Sequence, residues 1–107
     1  MPIEQDSFFF MLGLAMRAGQ ITFGEDGVRK AAANGAKLVL LDAGASDNTK
    51  KRMRDCCAYY GVTLKETASG RLGAAVGKPG RMSAAIAAGP LCDKLLSLSE
   101  AEEQSRE

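Results

Sequence analysis

The sequence predicts an α/β protein, a three-layer α/β/α sandwich around a central four-stranded sheet. Three observations point there. Helical and extended patterns alternate along the chain in the order αβαβαβαβα, with short connections. Lys37-Leu38-Val39-Leu40-Leu41-Asp42 is a nearly unbroken apolar run, the mark of a strand in a sheet covered on both faces. A chain of 107 residues, 46% of them hydrophobic and without internal repeat or linker, suits one domain with an ordinary core. From alternation alone the sheet is expected to be mostly parallel. The domain is expected to span residues 1–100, with 101–107 as an acidic, frayed tail.

Each element has its own warrant. Phe8, Phe9, Met11, Leu12, Leu14, Ala15 and Ala18 recur at helical spacing, so residues 4–17 are predicted as an amphipathic helix, closed at Gly19. Residues 21–23 form a short strand. A second helix runs over 25–34 with Val28, Ala31 and Ala32 inward, and Asn34-Gly35 stops it. After the strand at 37–42, Ser46 is a good N-cap with Asp47 in the first turn of a helix that reaches Tyr60 and closes at Gly61. Residues 62–66 are an interior or near-edge strand, 71–76 a short helix, 77–81 a loop and 82–87 a small-residue strand. Gly89-Pro90 opens a final helix whose apolar face is Leu91, Leu95, Leu96 and Leu98.

Composition closes off several functions. No apolar run approaches the ~20 residues of a membrane span, and the first residues lack the basic flank of a signal peptide. A cytoplasmic protein with no membrane partner is expected. Cys56, Cys57 and Cys92 are an odd set, best read as reduced thiols. Cys56 and Cys57 are adjacent in a helix, so only one is expected to face the core. The chain has no histidine and no Cys-x-x-Cys, which argues against a metal site and removes the commonest general acid/base. Gly73-Ala74-Ala75-Val76-Gly77-Lys78-Pro79 fails as a phosphate loop: its glycines are too close and Pro79 takes the Ser/Thr place. No catalytic residue and no cofactor is expected. Four carboxylates against one arginine give residues 97–107 a net charge of −3, leaving +4 on the body. A basic body suits a modest nucleic-acid binder.

Two places could carry binding. Gly24-Glu25-Asp26-Gly27-Val28-Arg29-Lys30 reads as a strand that stops at glycine and a helix whose opening turn presents free N–H groups to an anion, with Lys30 nearby. The same residues are also read simply as a helix start. Lys78 and Arg81 sit in a loop held by Gly77, Pro79 and Gly80, where backbone can approach a ligand; an ordinary surface turn reads the same way. Lys50, Lys51, Arg52 and Arg54 read as a solvated helix face. Phe23 is read as packing inward.

Together, Leu12-Gly13-Leu14-Ala15-Met16-Arg17-Ala18-Gly19-Gln20, Gly24, Val28, Lys30-Ala31, the 37–42 run, Ala45-Ser46-Asp47-Asn48-Thr49-Lys50-Lys51, Tyr59-Tyr60-Gly61-Val62 and Leu72-Gly73-Ala74-Ala75-Val76-Gly77-Lys78 resemble the bacterial YlxQ-type branch of the L7Ae/L30e ribosomal-protein superfamily. The resemblance covers nearly the whole chain. It implies a mixed rather than mostly parallel sheet, and non-catalytic binding of structured RNA, kink-turns or related internal loops, ribosomal RNA among them, by a monomer. It assigns Gly24, Glu25, Asp26, Gly27 and Lys30, together with Gly77, Lys78 and Arg81, to the RNA face. The family's helix-start motif runs glycine, any residue, asparagine, glutamate, then lysine three positions on. Gly24 and Lys30 match it; Asp26 replaces the asparagine and Gly27 the glutamate, so one position loses a donor and the other its side chain. A second reading is a protein-interaction module on the same fold, using the acidic tail or the basic helix.

Overall fold

A computed structural model describes residues 2–105. The elements are α1 (Asp6–Arg17), β1 (Ile21–Phe23), α2 (Glu25–Ala33), β2 (Leu38–Asp42), α3 (Asp47–Tyr60), β3 (Thr63–Thr67), α4 (Arg71–Val76), β4 (Ser83–Ile86) and α5 (Pro90–Ser105). The sheet order is β1-β4-β2-β3. β2 and β3 are parallel, while β4 runs antiparallel to both β1 and β2. The sheet is thus mixed, and the mostly parallel arrangement expected from alternation is overturned.

Element length explains the directions. α3 has 14 residues, and at ~1.5 Å per residue it carries the chain back along the sheet for a parallel crossover. α4 has only six residues, about 9 Å of helix against about 16 Å for a five-residue strand. The chain therefore enters β4 near the end where β3 stopped and must run the opposite way.

β2 is buried at all five residues, as its apolar run predicts. Its side chains alternate between two cores. Leu38 and Leu40 join Phe8, Leu12, Leu72, Ile86 and Leu95 beneath α1, α4 and α5. Val39 and Leu41 join Val28, Met53, Cys57 and Ala85 beneath α2 and α3. β3 is an edge strand, with Thr63 exposed. Cys56 and Cys57 are both buried, at 9% and 3% exposure, where only one was expected to be. Neighbouring helix positions are about 100° apart, and the stripe that α3 turns inward is wide enough to take both.

The end of the chain also differs from expectation. α5 continues through Ser105 rather than fraying after Ala101, and Glu102 is 4% exposed. Its carboxylate accepts the N–H groups of Glu4 and Gln5, each at 2.8 Å. Glu103 reaches Lys65 at 2.8 Å. Gln5 is extended, at φ −62° and ψ 132°, so α1 begins at Asp6 rather than Glu4. The expected acidic tail also includes Arg106 and Glu107, which lie outside the described residues.

Candidate nucleic-acid interface

One end of the sheet gathers most of the residues singled out in the sequence. Register pairs Phe23 with Ala84 and Leu41 with Ser83, so the end of β1, the start of β4 and the end of β2 lie side by side. Loop 77–81 leads into β4 there, and α2 begins there. The Gly24 N–H reaches Ser83 O at 3.4 Å, and the Asp42 N–H reaches Met82 O at 2.9 Å. The Arg81 guanidinium lies 5.2 Å from the centre of the Phe23 ring, within cation–π range. Phe23 itself packs against the core, as its alternation predicts.

Gly24 has φ 82° and ψ 157°, a conformation essentially confined to glycine. That turn directs the chain from β1 straight into α2. The first intrahelical bond is Val28 N–H to Gly24 O, 2.9 Å. The amides of Glu25, Asp26 and Gly27 precede it and stay uncommitted within the helix, and among the described residues no side chain caps them.

The two first-turn carboxylates differ. Asp26 is almost fully exposed, with Arg29 at 3.8 Å. Glu25 is gripped by Arg52 of α3: Nη2 donates to Oε1 at 2.8 Å and Nε to Oε2 at 3.0 Å. The Arg52 hydrogen bond holds the Glu25 carboxyl below its ordinary value, and the same bond raises the guanidinium above its own. Lys30 projects from the exposed side of α2 and, among the described residues, has no carboxylate within 4 Å. Gly27 faces the sheet edge. A Cβ there would lie 2.6 Å from Cγ2 of Thr22, so the helix sits against β1 through the missing side chain.

Loop 77–81 is built on Gly73, which sequence reasoning met in a failed phosphate loop and in the family resemblance but gave no role of its own. A Cβ at Gly73 would come 2.9 Å from Lys78 O and 3.1 Å from Pro79 Cα. The loop folds onto α4 through Lys78 N–H to Gly73 O at 2.9 Å and turns on itself through Arg81 N–H to Lys78 O at 3.4 Å. Gly77, Lys78 and Arg81 are exposed. Asp42, fully buried at the end of β2, accepts from Gly44 N–H at 2.7 Å and from Gly70 N–H at 3.0 Å. It ties the loop before α3 to the start of α4. Sequence offered one signal for that latch, a carboxylate closing an otherwise apolar strand.

Sequence reasoning also missed Arg52, which it left on a solvated face. The rest of that face is paired too: Lys50 and Arg54 meet Glu66 at 3.4 and 3.3 Å, and Lys51 meets Asp55 at 2.9 Å. Burial pushes the Cys57 thiol up to about 11, with Cys56 beside it adding to the shift, and burial raises Cys92 as well. Thiols so placed are poor nucleophiles. Among the described residues no three potential metal-ligating side chains stand together, and no helix is long and apolar enough to cross a membrane.

Comparison with known proteins agrees with this fold. The model of the ribosomal protein L7Ae/L30e/S12e/Gadd45 family matches residues 7–96. An RNA-binding protein, YlxQ of Bacillus subtilis (strain 168), is 44% identical over 93 residues, covering 85% of this chain and 93% of that one. YlxQ of Enterococcus faecium, also named an RNA-binding protein, is 38% identical over 71 residues, covering 64% of this chain and 69% of its own. A solved Bacillus halodurans protein described as of unknown function superposes with a TM-score of 0.83 at 35% identity, covering 90% of this chain and 99% of its own. The Giardia lamblia 15.5kD RNA binding protein shares the fold at a TM-score of 0.71 and 20% identity, covering 94% of each chain. With its family model matched across most of its length and its five helices packed on a mixed four-stranded sheet, the chain belongs to the ribosomal protein L7Ae/L30e/S12e/Gadd45 family.

Proposed function

We propose that this protein binds structured RNA without catalysing a reaction. In this reading the opening of α2 and loop 77–81 form one docking face for a kink-turn or related internal loop, in cytoplasmic, ribosome-associated RNA, and the protein acts as a monomer. Gly24, Glu25, Asp26, Gly27 and Lys30 make one half of that face; Gly77, Lys78 and Arg81 make the other.

The carrying observation is how the cations are distributed. Arg29, Lys50, Lys51, Arg52, Arg54, Lys65 and Arg71 are each within 4 Å of a carboxylate. Six cations have no such partner among the described residues. Arg17, Lys37 and Lys94 lie elsewhere on the fold, whereas Lys30, Lys78 and Arg81 flank the uncommitted amides of α2 or belong to the loop beside them. Of the six, only these three are joined to a helix opening free to take phosphate. Unpaired cations keep their full charge for phosphate, and phosphate contacts set affinity while RNA shape selects the target. The YlxQ relatives, named as RNA-binding proteins, support the same assignment. A protein-interaction role for the acidic end or the basic helix has less support, because Glu102, Glu103 and the cations of α3 are already engaged within the fold.

Titrating the protein into a fluorescently labelled kink-turn RNA across a range of KCl concentrations tests the reading. Binding should weaken steeply with salt, and the same RNA with its sheared G·A pairs replaced should bind less tightly. Equal affinity for both RNAs would assign the face to another kind of RNA target, and salt-insensitive or absent binding would reject the RNA reading.

A further inference from the structure

We propose that Arg52 is a positioning residue of this RNA interface, acting through Glu25: it draws the Glu25 carboxylate aside against α3 and cancels its charge, so that phosphate can approach the opening of α2. This rests on the RNA-binding reading above. A carboxylate in the first turn of a helix is ordinarily favourable, because it faces the positive end of the helix dipole. At a helix start that must receive phosphate, the same charge competes with the ligand. The chain carries two such carboxylates, and it fixes only one of them.

The contact is a fork on a fork. Nε and Nη2 of Arg52 donate along one edge of the guanidinium, reaching Glu25 Oε1 at 3.2 and 2.8 Å and Oε2 at 3.0 Å. Nη2 also lies 3.3 Å from the hydroxyl oxygen of Thr49, one turn earlier in α3. Thr49 thus steadies the side chain from its own helix, while Glu25 is reached across 27 residues of sequence. Asp26, next to it, points into solvent at 96% exposure. Exposed ion pairs add little to stability, so the site chosen for this pair, beside uncommitted helix-start amides, is better explained by charge control than by folding. The lowered Glu25 pKa agrees, since it is the ionised carboxylate that Arg52 holds.

A double-mutant cycle on RNA affinity tests this, using wild type, Arg52→Ala, Glu25→Gln and the double variant with the kink-turn RNA above at several KCl concentrations. Arg52→Ala should weaken binding roughly fivefold, the effect of one unit charge at contact distance in water. In the Glu25→Gln background the same change should cost less than about twofold, with the salt slope kept. Arg52→Gln, which keeps most of the side chain's packing, should repeat the result should the alanine variant prove unfolded by circular dichroism. An equal loss in both backgrounds, with the slope reduced by about 0.7–1, would make Arg52 a direct phosphate contact and overturn the proposal. So would unchanged affinity in both backgrounds. Failure of the wild type to bind any RNA is a separate outcome, which removes the RNA reading and this proposal together.

Discussion

Thr22 and Gly27 between them decide what can occupy the inner edge of the α2 opening. The family's glutamate position is a glycine here, and the methyl group of Thr22 stands 2.6 Å from where a Cβ would be. Gly27→Ala therefore gains ~0.8–1 kcal/mol of helix propensity only against a contact that must shift. Thr22→Ser removes that methyl. In the Thr22→Ser background, Gly27→Glu should bind a kink-turn more tightly than Gly27→Ala by ~1–3 kcal/mol, the usual worth of a specific base contact. The gain should vanish on RNA lacking the G·A pairs; equal gains on both RNAs would mean that this corner reads charge or shape alone. Lys30→Ala and Lys78→Ala should each weaken RNA binding and lower the salt slope by about 0.7–1, as expected for one lost phosphate contact. Lys51→Ala, whose ammonium is 2.9 Å from Asp55, should do neither. A Lys51→Ala defect larger than the other two would put the RNA on the α3 face instead.

At the scale of elements, two long-range carboxylates behave differently. Glu102 joins α5 to the start of α1 and is buried, so Glu102→Ala strands two backbone donors and should cost ~1–3 kcal/mol in urea unfolding. A chain stopped after Ala101 should lose a comparable amount. The RNA affinity of the folded fraction should stay the same, because the clasp lies apart from the α2 opening; a selective loss of affinity would bring the acidic end into the interface. The Glu25–Arg52 pair joins α2 to α3 near the surface, where solvent screens it and its contribution to stability is small. Its sign follows from a folded pKa below the unfolded one. The contribution is present above the ordinary carboxylate value and is lost as the pH falls through the lowered folded value. The stability difference between wild type and Arg52→Ala should accordingly shrink from neutral pH to strong acid. A difference that persists in acid would come from packing of the arginine stem rather than its charge.

Across the whole molecule, the three thiols report on global opening. All are buried, and burial raises Cys57 to about 11. Alkylation should be slow in native buffer and fast in urea, and modification of the native protein should leave RNA affinity unchanged. Loss of affinity with the circular dichroism spectrum intact would link a thiol to the interface. The sequence determined by itself what depends on near neighbours in the chain: the 3.6-residue stripe of α1, the glycine between β1 and α2, the Ser46 cap of α3, and the doubly buried run of β2. The approximate position of the other elements was legible from similar local signals, and so was the start of a helix directly after Gly24. Tertiary structure decided what depends on surfaces meeting across the chain. It set β4 antiparallel between β1 and β2, because α4 is too short to carry the chain back. It buried Glu102 against amides 97 and 98 residues away, where sequence could read only a solvated acidic end. It also took Arg52 from an apparently free basic face and set it on Glu25. Periodicity records which way a side chain points from its own helix or strand; which charge it meets there depends on how helices that are far apart in sequence pack on the same sheet.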